Sequence, residues 1–278
     1  MTWQKYDLVF RLLAPIHIGW RKTSNLQQTR GYVTGKVFWA ALTARLTREA
    51  DQGANGAAYK EIGDLVQKHF RFTYLYPATL NGSGYKTHYP WQDDFDYLFL
   101  DSYTSTALNY DNQSAEDGLL HETEFIAPRT RTDQPVYLTG SLYTKADLTD
   151  ERVESWPNVL NKLQFGGERG YGWGRVQLVG DPDQLDGKPI AGEPQGKLVE
   201  ETKGNDKVYR TTAHLITENT TNATGPIEPL IGWERNNEDG KPNWALSKAT
   251  ICYAPGATVT QPETFTITTN GLWQLHNS

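Results

Sequence analysis

Residues 165–176 read FGGERGYGWGRV, with five glycines in nine positions and Glu168, Arg169, Tyr171 and Trp173 between them. A backbone with that much freedom does not sit inside a helix or a sheet interior, because glycine loses the most conformational entropy on ordering. The segment is therefore a loop, and GRVQLVG after it reads as a strand. This excludes two common phosphate-binding plans. No Lys-Ser/Thr pair follows the glycines as a P-loop requires. Nor do they follow a strand and open a helix, as dinucleotide-binding glycines do.

Around this loop the hydrophobic pattern sets an order of elements. YDLVFRLLAPIHIG opens the chain as a strand through Leu8, Phe10, Leu12 and Leu13, ended by Pro15 and Gly19. A polar loop, WRKTSNLQQTRG, follows. From Gly35, Val37, Phe38, Ala41, Leu42 and Leu46 recur at helical spacing, with Thr34 placed to cap. Residues 51–100 read as an insertion: a helix over Ala57–Phe70, with Ile62, Leu65, Val66 and His69 towards one side, then aromatic-rich loops. YLFLDSYTSTALNY and LLHETEFIAPRT read as strands either side of the polar tip DNQSAEDG, and PVYLTGSLYT as another. TDERVESWPNVLNKL suits a helix bearing Val153, Trp156, Leu160 and Leu163, with Pro157 a possible start. The expectation is an α+β fold, a ferredoxin-like, RRM-like βαββαβ domain over 1–180. A β-rich extension over 181–278 follows, with a hairpin expected at GWERNNEDGKPNW.

Charge and composition narrow the classes. Nine Trp and fifteen Tyr provide for a core, and the single Cys252 excludes an internal disulfide or a cysteine-rich metal site. This fits a reducing, cytoplasmic setting. No stretch has the apolar length of a signal sequence or a membrane span. The net charge of −6 is uneven: residues 181–278 hold 13 acids against 8 bases, and residues 1–180 hold 20 against 19. A local basic groove is expected only in the first part. The sequons at Asn219 and Asn222 carry no weight without a secretion signal.

PIHIG at the end of the first strand, YVTGKVFWAALTARL at the first helix and FGGERGYGWGRV before the last strand together resemble the CRISPR-associated RAMP superfamily. The similarity covers roughly residues 5–180. Thr34 stands where a proline is usual. DNQSAEDGLLHETEFI is also similar to a segment of type III effector subunits. The resemblance implies that the glycine loop lies against RNA. Gly166, Gly167, Gly170, Gly172 and Gly174 would let main-chain amides approach phosphates. Arg169 and Arg175 would pair with phosphate oxygens, and Tyr171 and Trp173 would stack on bases. His17, Arg21, Lys22, Arg30, Lys36, Arg129 and Arg131 join the expected RNA-binding set.

Within the superfamily, the repeating type III subunit carries a target-cleaving aspartate between strand one and helix one. That loop here, IGWRKTSNLQQTRGYVTG, has neither Asp nor Glu. The expectation is a non-catalytic subunit that binds the 5′ handle of the guide RNA. It would need no cofactor or metal. Its partners would be RAMP backbone subunits and a large polymerase-like subunit, with target RNA met indirectly and no membrane. The alternatives are an inactive backbone subunit, a guide-processing endoribonuclease using His17, and a carbohydrate-binding module suggested by the Trp, Tyr and Thr content. His121 and Glu122 are strand neighbours pointing to opposite faces. Asp93, Asp94 and Asp96 lack calcium-loop spacing and read as a solvated turn.

Overall fold

A computed structural model describes residues 2–50, 56–203, 206–218, 222–236 and 243–276. The fold is mixed α+β, rich in sheet with few helices. Two compact units emerge, Met1–Glu193 with Thr269–Gly271, and Pro194–Thr268 with Leu272–Ser278.

The first unit begins with β1 (Thr2–Leu12) and a hairpin of β2 (Gly19–Thr23) and β3 (Leu26–Thr29). Helices α1 (Gly35–Ala50) and α2 (Gly56–His69) follow, then β4 (Phe70–Phe72), β5 (Tyr76–Asn81) and β6 (Gly84–Thr87). The short α3 (Phe95–Phe99) leads to β7 (Leu100–Ser105), β8 (Leu108–Asn109), β9 (Ser114–Ala115) and β10 (His121–Ile126). Next come β11 (Tyr137–Lys145), α4 (Glu151–Glu154), α5 (Trp156–Val159), β12 (Val176–Leu178) and β13 (Lys188–Ala191).

The main sheet runs β12-β1-β11-β5-β6, with β4 also on β11 and β13 also on β1, and all its pairings are antiparallel. β1 and β11 are in register from Trp3↔Lys145 to Arg11↔Tyr137. Alternation explains β1: Leu8, Phe10 and Leu12 are buried while Arg11 is exposed. On α1, Phe38, Leu42 and Leu46 recur every four residues on the buried side. Thr34 caps this helix as expected, its hydroxyl accepting the Val37 amide at 3.3 Å. Edge-to-face contacts join Phe10, Phe38 and Phe165 at 5.4–6.1 Å, so sheet, helix and the start of the glycine loop share one core. Ile62, Val66 and His69 of α2 are buried, and so are Val153, Trp156, Leu160 and Leu163. Pro157 stands at the start of α5, splitting the expected single helix into two short pieces.

Residues 51–100 do more than insert. Within them β4 and β5 pair with β11, through Leu142↔Phe72 and Thr139↔Tyr76, and so supply a strand of the main sheet. Phe70, Phe72, Leu75 and Ala78 have no exposed surface, which is the burial that makes this stretch structural. The segments read as the middle strands, β7 and β10, lie in a second sheet of order β2-β3-β10-β7. β3 runs parallel to β10 there, and the loop expected after β1 is itself the β2–β3 hairpin, turning at a left-handed Ser24.

The second unit is β-rich. One sheet orders the strands 195–196, 265–267, 273–275, 215–216, 250–253 and 227–230, and another orders 199–203, 206–210, 258–259 and 223–224. Leu215, Phe265 and Trp273 form its buried centre with Cys252. Strands 233–236 and 243–246 pair as the expected hairpin; its Asp239–Gly240 turn, like Asn219, lies outside the described residues. Among the described residues, no helix is long and apolar enough to cross a membrane.

Candidate nucleic-acid interface

The glycine loop is clamped to the turn after β1 by three hydrogen bonds, and a fourth closes the loop's own base. The Gly167 amide donates to the His17 carbonyl at 2.9 Å and the Gly174 amide to the Pro15 carbonyl at 2.7 Å. Phe165 donates to the Gly174 carbonyl at 2.9 Å, and Leu13 to the Arg175 carbonyl at 3.0 Å. Two glycines are required by this clamp. Gly166 has φ +82°, and a Cβ there would stand 2.1 Å from the His17 carbonyl oxygen; Gly174 has φ +80°, and its Cβ would stand 2.2 Å from the Phe165 oxygen. Both glycines thus let the backbone approach its own chain.

Between the clamped ends the loop opens. Residues 169–171 make one 3₁₀ turn, with Glu168 and Gly172 both left-handed at its two ends. Tyr171 and Gly172 use their amides to close it, and a Cβ at Gly170 or Gly172 would meet nothing within 4 Å. The amides of Glu168, Arg169, Gly170 and Trp173 have no hydrogen-bond partner among the described residues. Tyr171 is 85% exposed. Arg169 and Arg175 are exposed and form no ion pair among the described residues. Trp173 is different: it is half-buried and packs edge-to-face on Phe125 of β10 at 5.0 Å, which ties the loop to the second sheet.

The clamp also fixes His17. It is nearly buried, its Nδ1–H donates to the Glu124 carbonyl at 2.7 Å, and its ring lies beneath Gly167. The Glu124 carboxylate accepts the Thr29 amide at 2.9 Å, so β10 holds both the turn and the hairpin. Immediately past His17, every residue of β2 is exposed. Trp20 and Arg21 stack there, the guanidinium 4.0 Å from the ring centre, while Arg21 Nε donates to Gln28 at 2.7 Å. Lys22 is exposed and unpaired among the described residues. The glycine loop and the cationic edge strand β2 are therefore joined through His17.

The remaining expected residues fall elsewhere. Arg30 is half-buried and donates to the Tyr32 hydroxyl at 3.1 Å. Lys36 is exposed in the first turn of α1. Arg129 pairs with Asp133 and Arg131 with Asp101 at 3.2 Å, so both cations already have carboxylate partners. These are exposed pairs, which hold weakly. His121 Nδ1–H donates to the Leu119 carbonyl at 3.1 Å and Nε2 meets the Ser105 hydroxyl at 2.7 Å. Among the described residues, no group of three or more His, Cys, Asp or Glu side chains is placed to hold a metal ion. Trp20 is the feature that sequence reasoning missed. Its signal was the Trp-Arg-Lys run just after the first strand.

No family model matches the chain, and no curated protein matches it. Among solved structures, a chain from the cryo-EM structure of the type III-B Cmr-beta complex bound to cognate target RNA and AMPPnP is similar. It has 10% identity and a TM-score of 0.47, over 91% of this chain and 85% of that one. A chain of the same complex bound to cognate target RNA gives 10% and 0.43, over 91% and 86%.

Proposed function

We propose that this chain is a non-catalytic RNA-binding subunit of a type III-like CRISPR effector complex, holding the 5′ handle of the guide RNA. Its domain is read as a ferredoxin-like RAMP fold. The support is the β12-β1-β11-β5 order, with helices between β1 and β4 and between β11 and β12. The observation that carries the RNA reading is the open centre of the glycine loop, where Arg169 and Tyr171 face solvent unpaired, with Arg175 exposed and unpaired at its clamped end and the cationic strand β2 joined to it through His17. Arginine forks fit phosphates and an exposed ring fits a base. Backbone and large polymerase-like subunits are the proposed neighbours.

The endoribonuclease reading would need His17 as a proton shuttle. Its burial and its bond to Glu124 speak for a positioning role at the clamp instead. The test is filter binding of a repeat-derived guide RNA against the same RNA without its 5′ handle. Tighter binding of the handled RNA, with the RNA intact after metal-free incubation, is expected. Equal affinity refutes handle recognition, and cleavage abolished by His17→Ala refutes the non-catalytic role.

A further inference from the structure

A second exposed surface has the opposite charge and a different physical character. β7 and β10 pair from Leu100↔Ile126 out to Ser105↔His121, and the ribbon then continues past the second sheet as residues 106–120. Its outer part pairs only with itself, at Leu108↔Ala115 and Asn109↔Ser114. Every residue from Asp111 to His121 is exposed. Yet the ribbon holds a defined shape. Glu116 donates to the Ala107 carbonyl at 2.9 Å, and Asn112 to the Asn109 side chain at 3.1 Å. His121 bridges Ser105 and the Leu119 carbonyl, and Gln113 and Gly118 make left-handed turns.

This shaped ribbon displays Tyr103, Leu108, Tyr110, Leu119 and Leu120, all exposed, with Tyr110 at 84%. A two-stranded ribbon is marginal in water by itself, and apolar side chains gathered on a protruding element mark a surface that another molecule covers. Charge selects the molecule. From Leu100 to Pro128 the chain has Asp101, Asp111, Glu116, Asp117, Glu122 and Glu124 and no lysine or arginine. Asp101 is paired with Arg131 and Glu124 is bonded to Thr29. Asp111, Glu116, Asp117 and Glu122 have no ion pair among the described residues. Phosphates are repelled by such a surface, whereas a basic protein surface is steered towards it.

We infer that residues 103–121 are a docking arm for another protein, one that offers an apolar seat rimmed by lysine and arginine. The leucines and tyrosines supply burial, and the carboxylates set register and encounter rate. A second copy of this chain is the poorer occupant. A self-complementary contact between two arms would set their carboxylates against one another. The inference stands apart from the RNA reading of the glycine loop.

The test replaces Tyr110 with a photo-crosslinking phenylalanine analogue in the full chain, in its own host, and identifies the crosslinked peptide by mass spectrometry. The expected adduct is with a different protein, at a segment enriched in lysine and arginine. Its yield should fall at least tenfold when Asp111→Lys, Glu116→Lys and Asp117→Lys are combined. Circular dichroism and guide-RNA affinity should be no weaker in that triple variant, which separates failure here from failure of the RNA proposal. No adduct, an adduct with nucleic acid or with a second copy, a partner segment without basic excess, or a yield indifferent to charge reversal overturns the inference.

Discussion

Removing the two loop arginines, in Arg169→Ala combined with Arg175→Ala, makes the sharpest demand on the RNA proposal. Both side chains are exposed and unpaired among the described residues, so folding should be unaffected, within about 0.5 kcal/mol. If each arginine neutralises one phosphate of a single strand, the slope of log K against log salt should become shallower by about 1.4. Extrapolated from 1 M to 0.15 M salt, that slope change corresponds to about fourteenfold weaker binding, or about 1.5 kcal/mol. Fluorescence anisotropy with a labelled guide RNA from 0.05 to 1 M salt measures both quantities at once, about a twentyfold range of salt. The two lines should draw together towards 1 M, where the counterion-release term vanishes and only the loss of the forked contacts separates them. Parallel lines would refute the reasoning, because they would mean that neither arginine touches a phosphate, whatever happens to the absolute affinity.

Three further outcomes follow from the geometry. Gly174→Ala must place a Cβ 2.2 Å from a carbonyl oxygen at positive φ, and should cost about 1–3 kcal/mol in denaturant melts, whereas Gly170→Ala, with open space around it, should stay within about 0.5 kcal/mol. Tyr171→Ala should leave the melting temperature unchanged and weaken RNA binding by about 1–3 kcal/mol, read by the same anisotropy titration. Burial holds the His69 imidazole below its ordinary value of 6.5, so the unfolded chain takes up the proton first on acidification. The stabilisation is complete above pH 6.5 and is lost as pH falls towards the folded value; thermal melts from pH 7 to 5 should show less acid destabilisation in His69→Gln than in the parent.

What the sequence disclosed, and what it withheld, divides by the range of the interactions. β1, α1 with its Thr34 cap and the buried side of α2 rest on local periodicity and local capping, and all were legible. The strand at 70–81 was hidden because FRFTYLYPATLN mixes aromatics with Pro77, a residue that argues against a central strand. It is a strand because β11 lies beside it, a pairing between residues remote in sequence, such as Leu142 with Phe72. Likewise WRKTSNLQQTRG looks like a loop, since its alternation is polar throughout; β10 makes β3 a sheet member by pairing Glu122 with Leu26. At the candidate site, sequence located the flexible backbone and its cations. It did not reveal that the His17 and Pro15 carbonyls take up the Gly167 and Gly174 amides, or that Trp173 packs on Phe125, because each contact joins residues that are remote in the chain.

Those remote contacts change how an RNA would be held. With Gly167 and Gly174 bonded to the turn and Tyr171 and Gly172 closing their own 3₁₀ turn, four loop amides are spent, and those of Glu168, Arg169, Gly170 and Trp173 stay unbonded among the described residues. The clamp converts a flexible string into a fixed platform, and the grip passes largely to side chains mounted on it. A rigid mount favours arginine, whose planar fork loses less freedom per hydrogen bond than a lysine ammonium. Replacing both residues conservatively, in Arg169→Lys with Arg175→Lys, therefore separates charge from geometry. The salt slope should match the parent, since the phosphate count is unchanged, while affinity at fixed salt should fall about tenfold through loss of the forked contacts. A variant with the parent's slope and the parent's affinity would show that the arginines act as point charges, and that the clamped loop shapes the field around the RNA without orienting it.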